Sequence, residues 1–263
     1  MEQLNELILT IFNFNKLIYI FNSFPVEVTW FLFLFFCFSS ILVFLKIFGE
    51  IGLYIYTVVA IIAGNIQVLK IIKFTFLSDP VALGTILFAS TFLCTDILAE
   101  YYGTEKAKKN ILIGFSGFLL MTLISLFTLG FKPLTEQLAM NDYIWALDIE
   151  KSLTSIFSPL PTFFFASMLA YLSSQYFDVW FFNFISRITH NKYLWLRNNL
   201  STMTSSLLDN SIFSIFAFII FSQAPLPLNT VIMTYILGAY MLRIFISLID
   251  TPFVYLANYL IKK

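Results

Sequence analysis

The sequence predicts an all-α fold, a polytopic transmembrane helical bundle of about seven membrane-spanning helices. Three observations support this: 59% of the 263 residues are hydrophobic, only 11% are charged, and long charge-free apolar runs recur along the chain. A soluble domain usually carries about 25% charged residues, so this chain has too little polar surface to cover a water-soluble globule. The 15 basic residues equal the 15 acidic ones, and this balance gives no argument for a nucleic-acid partner.

Seven segments approach the length of about 20 predominantly apolar residues that a bilayer-spanning helix needs. They are Val28–Leu45, Ile51–Leu69, Pro80–Thr95 with its continuation to Glu100, Asn110–Phe131, Ser152–Phe177, Asn198–Ser222 and Leu228–Asp250. Pro159 and Pro161 remove helix donors early in the fifth segment, which predicts a broken or late-starting helix there. Residues 7–24 are apolar but carry Asn13, Asn15 and Lys16 at their centre. We therefore expect an interfacial helix there, with a true span as the alternative.

Basic residues are distributed unevenly between the two sides that these spans define. The side that includes the C-terminus carries the larger share: Lys46, Lys106, Lys108, Lys109, Arg187, Lys192, Arg197, Lys262 and Lys263. Because basic residues concentrate on the cytoplasmic side of membrane proteins, we expect a cytoplasmic C-terminus and an outside N-terminus.

The third span ends with two carboxylates four residues apart, Asp96 and Glu100, which helical geometry places on one face. An ionisable side chain in mid-membrane costs about 3 kcal/mol on insertion scales, so its presence needs a reason. Two acids this close predict a shared proton or a cationic partner. The alternative is that the helix ends near Asp96 and water reaches both acids.

The sixth span carries the densest polar sequence of the chain. Asn198, Thr202, Ser205 and Asp209 recur at intervals of four, three and four, which predicts one polar stripe along a helix face. Such a stripe should face the bundle interior or a water-filled cavity rather than lipid. The hydroxyl groups alone could serve helix packing, whereas Asp209 is hard to explain in that way.

Further polar residues lie in the other spans. Gln175 and Asp178 end the fifth span, and Val179–Ile185 beyond them predicts an amphipathic stretch along the cytoplasmic interface. Asn65 in the second span could face a ligand or a neighbouring helix. Arg243 and Asp250 are seven apart, hence on one face of the last span, and we expect a carboxylate from another helix to pair with Arg243.

Enzyme and metal motifs are missing from the sequence. It contains no GxxxxGK[ST], HExxH or GxSxG pattern and no paired cysteine ligands, since Cys37 and Cys94 lie alone in apolar runs. The single histidine, His190, cannot form a metal site by itself. We therefore expect neither catalysis, nor a cofactor, nor a bound metal.

Four motifs follow one another along the chain: Thr-Asp96-Ile-Leu-Ala-Glu100-Tyr-Tyr-Gly103, then Ser-Gln175-Tyr-Phe-Asp178-Val-Trp-Phe-Phe, then Trp195-Leu-Arg197-Asn198-Asn-Leu-Ser-Thr202 with Leu-Leu-Asp209, and finally Asp250-Thr-Pro252-Phe-Val-Tyr255. Together they resemble the queuosine precursor transporter family, also called the vitamin uptake transporter family. The resemblance covers roughly residues 51–260. It implies a six-helix core over 49–263, preceded here by an extra transmembrane helix at 28–48 and an N-terminal segment at 1–27.

The resemblance also implies a function: import of a queuosine precursor (queuine, preQ0 or preQ1) across a bacterial inner membrane for tRNA modification. These precursors are 7-deazaguanine bases, whose adjacent N–H donors a carboxylate can accept. The residues expected to bind the base in one shared wet chamber, between the midplane and the inner face, are Asn65, Asp96, Glu100, Gln175, Asp178, Trp195, Arg197, Asn198 and Asp209.

Arg243 and Asp250 are the expected ion pair or coupling residues. The sequence leaves open which precursor is carried, the oligomeric state, and whether uptake is proton-coupled or facilitative. The alternative function is a substrate-binding subunit that a separate ATPase energises.

Overall fold

A computed structural model describes residues 13–77, 80–139, 142–158, 160–222 and 224–261, and over these ranges the fold is helical. The helices are α1 (Phe14–Ser23), α2 (Val26–Phe48), α3 (Glu50–Gln67), α4 (Thr85–Tyr101), α5 (Thr104–Gly130), α6 (Glu136–Ala139), α7 (Ile144–Phe157), α8 (Leu160–Ile188), α9 (Leu194–Ile215), α10 (Leu228–Thr230) and α11 (Ala239–Ile261). A π-helical segment, Phe216–Ile220, extends α9, and another, Val231–Gly238, joins α10 to α11. Residues 1–12, part of the predicted interfacial helix, and Lys262 and Lys263 lie outside the described ranges.

Five helices in the described part of the chain are long and apolar enough to cross a membrane. They are α2, α3, α5, α9 with its π-helical extension, and the continuous helix Leu228–Ile261. Between them lie α4, which has 17 residues, and α8, which has 29. The result is a helical membrane bundle, and the count of seven spans stays a prediction.

Short connections define one end of the bundle, which we call the basic end. Gly49 joins α2 to α3 with a φ of 60°, and Gly103 joins α4 to α5 with a φ of 92°, a region that glycine enters without steric cost. Residues 189–193 join α8 to α9, and Asn191 there also has a positive φ, which asparagine tolerates well. Lys46, Lys106, Lys108, Lys109, Arg187 and Lys192 lie at or near this end.

The opposite end, which we call the hairpin end, holds longer connections. Strands β1 (Ile71–Ile72) and β2 (Val81–Ala82) pair antiparallel, with Ile71 opposite Ala82, and link α3 to α4. Residues 131–139, 142–143, 221–222 and 224–227 also lie at this end. Gly64 and Gly84 approach closely here, because a Cβ on Gly84 would lie 2.7 Å from the Gly64 carbonyl oxygen.

The interior of the bundle is built on α8 and α9, which pack against each other more extensively than any other described pair. Helix α4 lies against α3, α5 and α11, and its middle residues are almost all buried. The additional N-terminal helix α2 packs on α3 and α11 through Leu34, Phe38 and Ile41, which are fully buried. These contacts place α4, α8, α9 and α11 around one polar interior.

The fifth predicted span, Ser152–Phe177, is wrong in its extent. Residues 152–157 end the separate helix α7, which has no buried side chain, and α8 begins at Leu160. The late start of the helix agrees with the prediction from the two prolines, since Pro161 falls in the first turn of α8, where proline is tolerated. Pro159 lies outside the described residues.

The predicted interfacial stretch Val179–Ile185 is also wrong, because α8 continues straight through it to Ile188. Val179, Phe182 and Ile185 are buried in the bundle, whereas Trp180 and Phe184 are exposed and stack on each other. The aromatic residues that suggested an interfacial helix are thus divided between the inner and the outer face of one long helix.

Candidate functional site

A partly enclosed cavity of about 410 Å³ lies at the hairpin end and extends into the bundle. Residues of the hairpin, of α8, of α9 and of both π-helical segments line it. Its lining is mostly apolar, with a few polar groups at the inner end, as is usual for small-molecule sites. π-Helical turns occur frequently at functional sites, because the extra residue shifts side chains off the regular helical register.

The inner end of the cavity is formed by a buried ion pair between α9 and α11. Arg243 donates from Nη1 to Asp209 Oδ2 at 2.5 Å, and Ser174 donates to Asp209 Oδ1 at 3.1 Å. The prediction that a carboxylate from another helix pairs with Arg243 is therefore confirmed. Nε of Arg243 has no acceptor among the described residues, which leaves one guanidinium donor unused.

Polar groups beside this ion pair add further hydrogen-bonding capacity to the cavity. Asn210 follows Asp209 and donates to the Ile236 carbonyl at 3.4 Å, in the π-helical segment before α11. The side chain of Tyr171 also lines the cavity, but its hydroxyl is buried and lies close to Gly114 of α5. Asp209, Arg243 and Asn210 together offer both donors and acceptors at the cavity's inner end.

Asn65 lies next to the cavity but is already engaged. Its Oδ1 accepts from Ser167 at 2.6 Å, and its Nδ2 donates to the Ile61 carbonyl at 2.9 Å. Ser167, rather than Asn65, lines the cavity. The contact to a neighbouring helix, which the sequence left as one of two alternatives, is the one present.

Aromatic rings form the walls of the cavity. Phe218 and Tyr235 project from the two π-helical segments, and their ring centroids are 4.2 Å apart. Phe88 and Phe213 line other parts of the cavity. Rings above a charged inner end suit a flat polar solute, which can stack on aromatics while its edge is hydrogen-bonded.

A second polar group, which we call the acid layer, comprises Asp96, Asp178, Asp250 and Asn198 and lies nearer the basic end. All four side chains are buried. Thr202 donates to Asp96 Oδ2 at 3.1 Å, and the side chains of Asp96 and Asp178 lie within hydrogen-bonding reach of each other. None of the four lines the cavity.

The remaining contacts of the acid layer connect it to α9 and α11. Ser205 donates to Asp178 Oδ1 at 2.7 Å, and Asn198 donates to Asp250 Oδ1 at 2.8 Å. The polar stripe of the sixth span therefore faces the interior as predicted, with Asn198, Thr202, Ser205 and Asp209 all buried.

Gln175 makes two hydrogen bonds to α4 on the side of the acid layer that faces the cavity. Its Nε2 donates to Thr91 Oγ1 at 2.9 Å, and its Oε1 accepts from Thr95 at 2.8 Å. Both ends of the amide are thus satisfied, and Gln175 joins α8 to α4.

A second ion pair lies beyond the acid layer, towards the basic end. Arg197 pairs with Glu100 through both Nε, at 3.1 Å, and Nη2, and its Nη1 donates to the Asn191 carbonyl at 3.1 Å. Asp96 and Glu100 thus both face α9, and Glu100 has the cationic partner that the sequence led us to expect. Trp195, by contrast, is half exposed and lines neither the cavity nor the acid layer.

The described structure does not gather the nine predicted binding residues around one cavity. The cavity opens at the hairpin end, away from the basic end, and of the nine residues only Asp209 lines it. Apart from the half-exposed Trp195, the others form contacts within the protein, most of them where α4, α8, α9 and α11 pack together beneath the cavity. Whether these residues bind a solute stays a prediction.

Sequence reasoning missed several cavity residues. Asn210 could have been found from its place beside Asp209, but helical periodicity puts adjacent residues on different faces. Tyr171, Phe218 and Tyr235 stand in apolar runs, where one aromatic residue looks like any other. Their place in the cavity depends on helix packing and on the two π-helical segments.

Comparison with known proteins decides the family. Residues 82–257 match the family described as putative vitamin uptake transporters, a range that includes the ion pair of Asp209 and Arg243 and the whole acid layer. The chain belongs to the vitamin uptake transporter family. It is also 33% identical over 235 residues to a Bacillus subtilis (strain 168) protein named probable queuosine precursor transporter, a match covering 89% of this chain and 95% of that relative. No solved structure matches the chain.

Membership of this family makes the chain a multi-pass membrane transporter of a small-molecule substrate. The expectation that it is not an enzyme is confirmed by the family. The resemblance that the sequence motifs indicated is confirmed as well, by both matches.

Proposed function

We propose that this transporter imports a queuosine precursor, a 7-deazaguanine such as queuine, preQ0 or preQ1, for tRNA modification. The observation that carries the proposal is the cavity of about 410 Å³, which has aromatic walls and ends at a buried carboxylate–guanidinium pair. The name of the Bacillus subtilis relative supports the same substrate class.

The chemistry of the cavity matches the edge of a 7-deazaguanine. The ring system presents two neighbouring N–H donors and one carbonyl acceptor along its guanine-like edge. Asp209 would accept from the donors, and the guanidinium of Arg243 would donate to the carbonyl. The contacting rings of Phe218 and Tyr235 would offer an aromatic surface on which one face of the base stacks. Asn210 would read a remaining polar position.

We further propose seven spans in a bacterial inner membrane, with the basic end in the cytoplasm. The lysines and arginines near that end support this orientation. The cavity then opens to the outside, and the acid layer and the Glu100–Arg197 pair close the cytoplasmic half. This is the arrangement that an importer needs in order to receive its solute from outside.

The proposal is tested by expressing the protein in a host that lacks its own transporter and measuring queuine uptake by mass spectrometry. We expect uptake well above a vector control, and loss of uptake in Asp209→Asn when uptake is normalised to the amount of protein in the membrane. Asp148→Asn is the matched control, because Asp148 is exposed on α7 outside the cavity. No uptake by wild type that is present in the membrane would refute the substrate assignment.

Proteoliposomes that contain only the purified chain address the alternative of an ATPase-energised importer. We expect queuine to enter them without any other protein. Transport that appears only when an ATPase module is added would favour the binding-subunit alternative instead.

A further inference from the structure

The acid layer contains acceptor oxygens that have no hydrogen-bond donor. Each of its three carboxylates uses one oxygen, while Asp96 Oδ1, Asp178 Oδ2 and Asp250 Oδ2 have no partner in the described part of the chain. Oδ1 of Asn198 is buried and lacks a donor too, although its amide nitrogen is bound to Asp250. Four buried acceptors next to one another are costly unless something supplies positive charge or protons.

No side-chain cation supplies that charge. Among the described residues the buried cations are Arg197 and Arg243, and each already has its own carboxylate, Glu100 and Asp209. The first pair lies on the basic side of the acid layer and the second on its cavity side. The layer therefore holds three acids with no basic partner, in an interior where an uncompensated charge is strongly unfavourable.

A proton fits this site better than a metal ion. The carboxyl groups of Asp96 and Asp178 lie within hydrogen-bonding reach, and two carboxyl groups can bond to each other only if one carries a proton. Among the described residues, no group of three or more acidic, histidine or cysteine side chains is spaced to hold a metal ion. The geometry thus points to a protonated carboxyl pair.

The acid layer is connected to the cavity through two neighbouring helices. On α8, Ser174 binds Asp209 at the end of the cavity, and Asp178 follows one turn later on the same face. On α9, Ser205 binds Asp178, and Asp209 follows one turn later. On both helices the residues of the two sites are therefore only about one helical turn apart, roughly 5 Å. A change at one site thus reaches the hydrogen-bond partners of the other.

We propose that Asp96 and Asp178, supported by Asp250 and Asn198, bind the proton whose movement drives uptake, at a site separate from the substrate cavity. This inference rests on the proposed function, because the proton is taken to move inward together with the imported solute. Loss of the proton leaves facing carboxylates that repel each other beneath the cavity, and water reaching them from the basic end relieves that repulsion. Proton release and opening of the basic end are then one event.

Transport by proteoliposomes separates coupling from binding. With one proton carried per solute, a gradient of one pH unit supports up to about tenfold accumulation. Wild type should accumulate queuine under an inwardly directed proton gradient, with no change when sodium is replaced by potassium. Asp178→Asn should lose this accumulation yet exchange internal for external queuine within about threefold of wild type. Asp148→Asn should behave like wild type.

Two results would overturn the inference. One is accumulation by Asp178→Asn and by Asp96→Asn at the wild-type level under the same proton gradient. The other is uptake by wild type that follows a sodium gradient at constant pH.

Infrared spectroscopy of the purified protein tests the proton site without any substrate. Wild type near neutral pH should show the C=O stretch of a buried protonated carboxyl group, and Asp96→Asn and Asp178→Asn should each lose it. Asp96→Asn and Asp178→Asn are both measured, so that the test still stands if one of them fails to fold. If wild type fails to transport queuine but shows this band, the substrate proposal fails and the proton site stands; absence of the band in wild type refutes the proton site.

Discussion

Separating the structural and binding roles of the ion pair at the end of the cavity requires two substitutions. Asp209→Asn leaves the guanidinium of Arg243 buried without its counter-ion, with only a weaker amide in reach. Breaking a buried pair on one side costs about 3 to 5 kcal/mol in proteins. Because the cavity admits some water to this pair, we expect the lower end of that range, about 3 kcal/mol of unfolding free energy.

Replacing both partners should reverse this loss of stability. In Asp209→Asn with Arg243→Met no charge remains to be compensated, and methionine retains much of the arginine stem's volume. We expect the double variant to recover most of the lost unfolding free energy, because buried ion pairs are often replaceable by uncharged groups. Binding should not recover, since each lost charged hydrogen bond is worth about 1.5 to 3 kcal/mol, tenfold or more in affinity.

The assay pairs thermal unfolding of the detergent-purified protein with equilibrium binding of labelled queuine. Wild type, both single variants and the double variant form a double-mutant cycle. The reasoning predicts a stability coupling of at least 2 kcal/mol and no rescue of binding. Additive stability effects would show that the pair is not formed, and wild-type affinity in the double variant would show that the base binds elsewhere.

Three further outcomes follow from the packing and the cavity walls. Gly52→Ala should lower the unfolding free energy by about 1 to 3 kcal/mol, since the new Cβ would lie 2.2 Å from a backbone carbonyl oxygen of α2. Gly130→Ala is the control, because a Cβ there would have nothing within 4 Å. Equal melting temperatures of the two variants would contradict this. Glu100→Gln should destabilise by about 1 to 2 kcal/mol, because its arginine partner is buried, while the exposed Glu105→Gln changes little in the same measurement. Tyr235→Ala should weaken queuine binding about tenfold and Tyr235→Phe should not, and equal affinities would remove the stacking role.

The polar stripe of α9 could be predicted because helical periodicity and the cost of placing polar groups in lipid act within one helix. Thr202 and Ser205 had to share a face with Asp209, and that face had to turn inward. The same reasoning fixed the need of Arg243 for a carboxylate. It could not choose between Asp209 and another acid, because the choice depends on which helices are neighbours.

The division between cavity and acid layer could not be predicted for a related reason. Asp96 and Asp209 look alike in the sequence, as acids in apolar surroundings. One lies beneath four closely packed helices and the other at the end of a space that two π-helical segments widen. No short sequence pattern distinguishes a π-helical turn from an α-helical one, so the cavity walls stayed hidden as well.

The sequence pattern gave a wrong prediction for the end of α8, because this helix is longer than the apolar run that marked it as a span. Val179–Ile185 is rich in aromatic residues and has little charge, a composition that would suit a membrane interface. The turn that ends α8 comes only after Ile188, at residues with positive φ such as Asn191. The helix therefore continued through a segment whose composition alone suggested a change of environment.

A structure of the protein with queuine bound tests the central claim most directly. We expect the base in the cavity at the hairpin end, with its N–H edge on Asp209 and its carbonyl on Arg243, while Asp96 and Asp178 remain in contact with each other. A base lodged among Asp96, Asp178 and Asn198 instead would contradict the account and make the acid layer the substrate site.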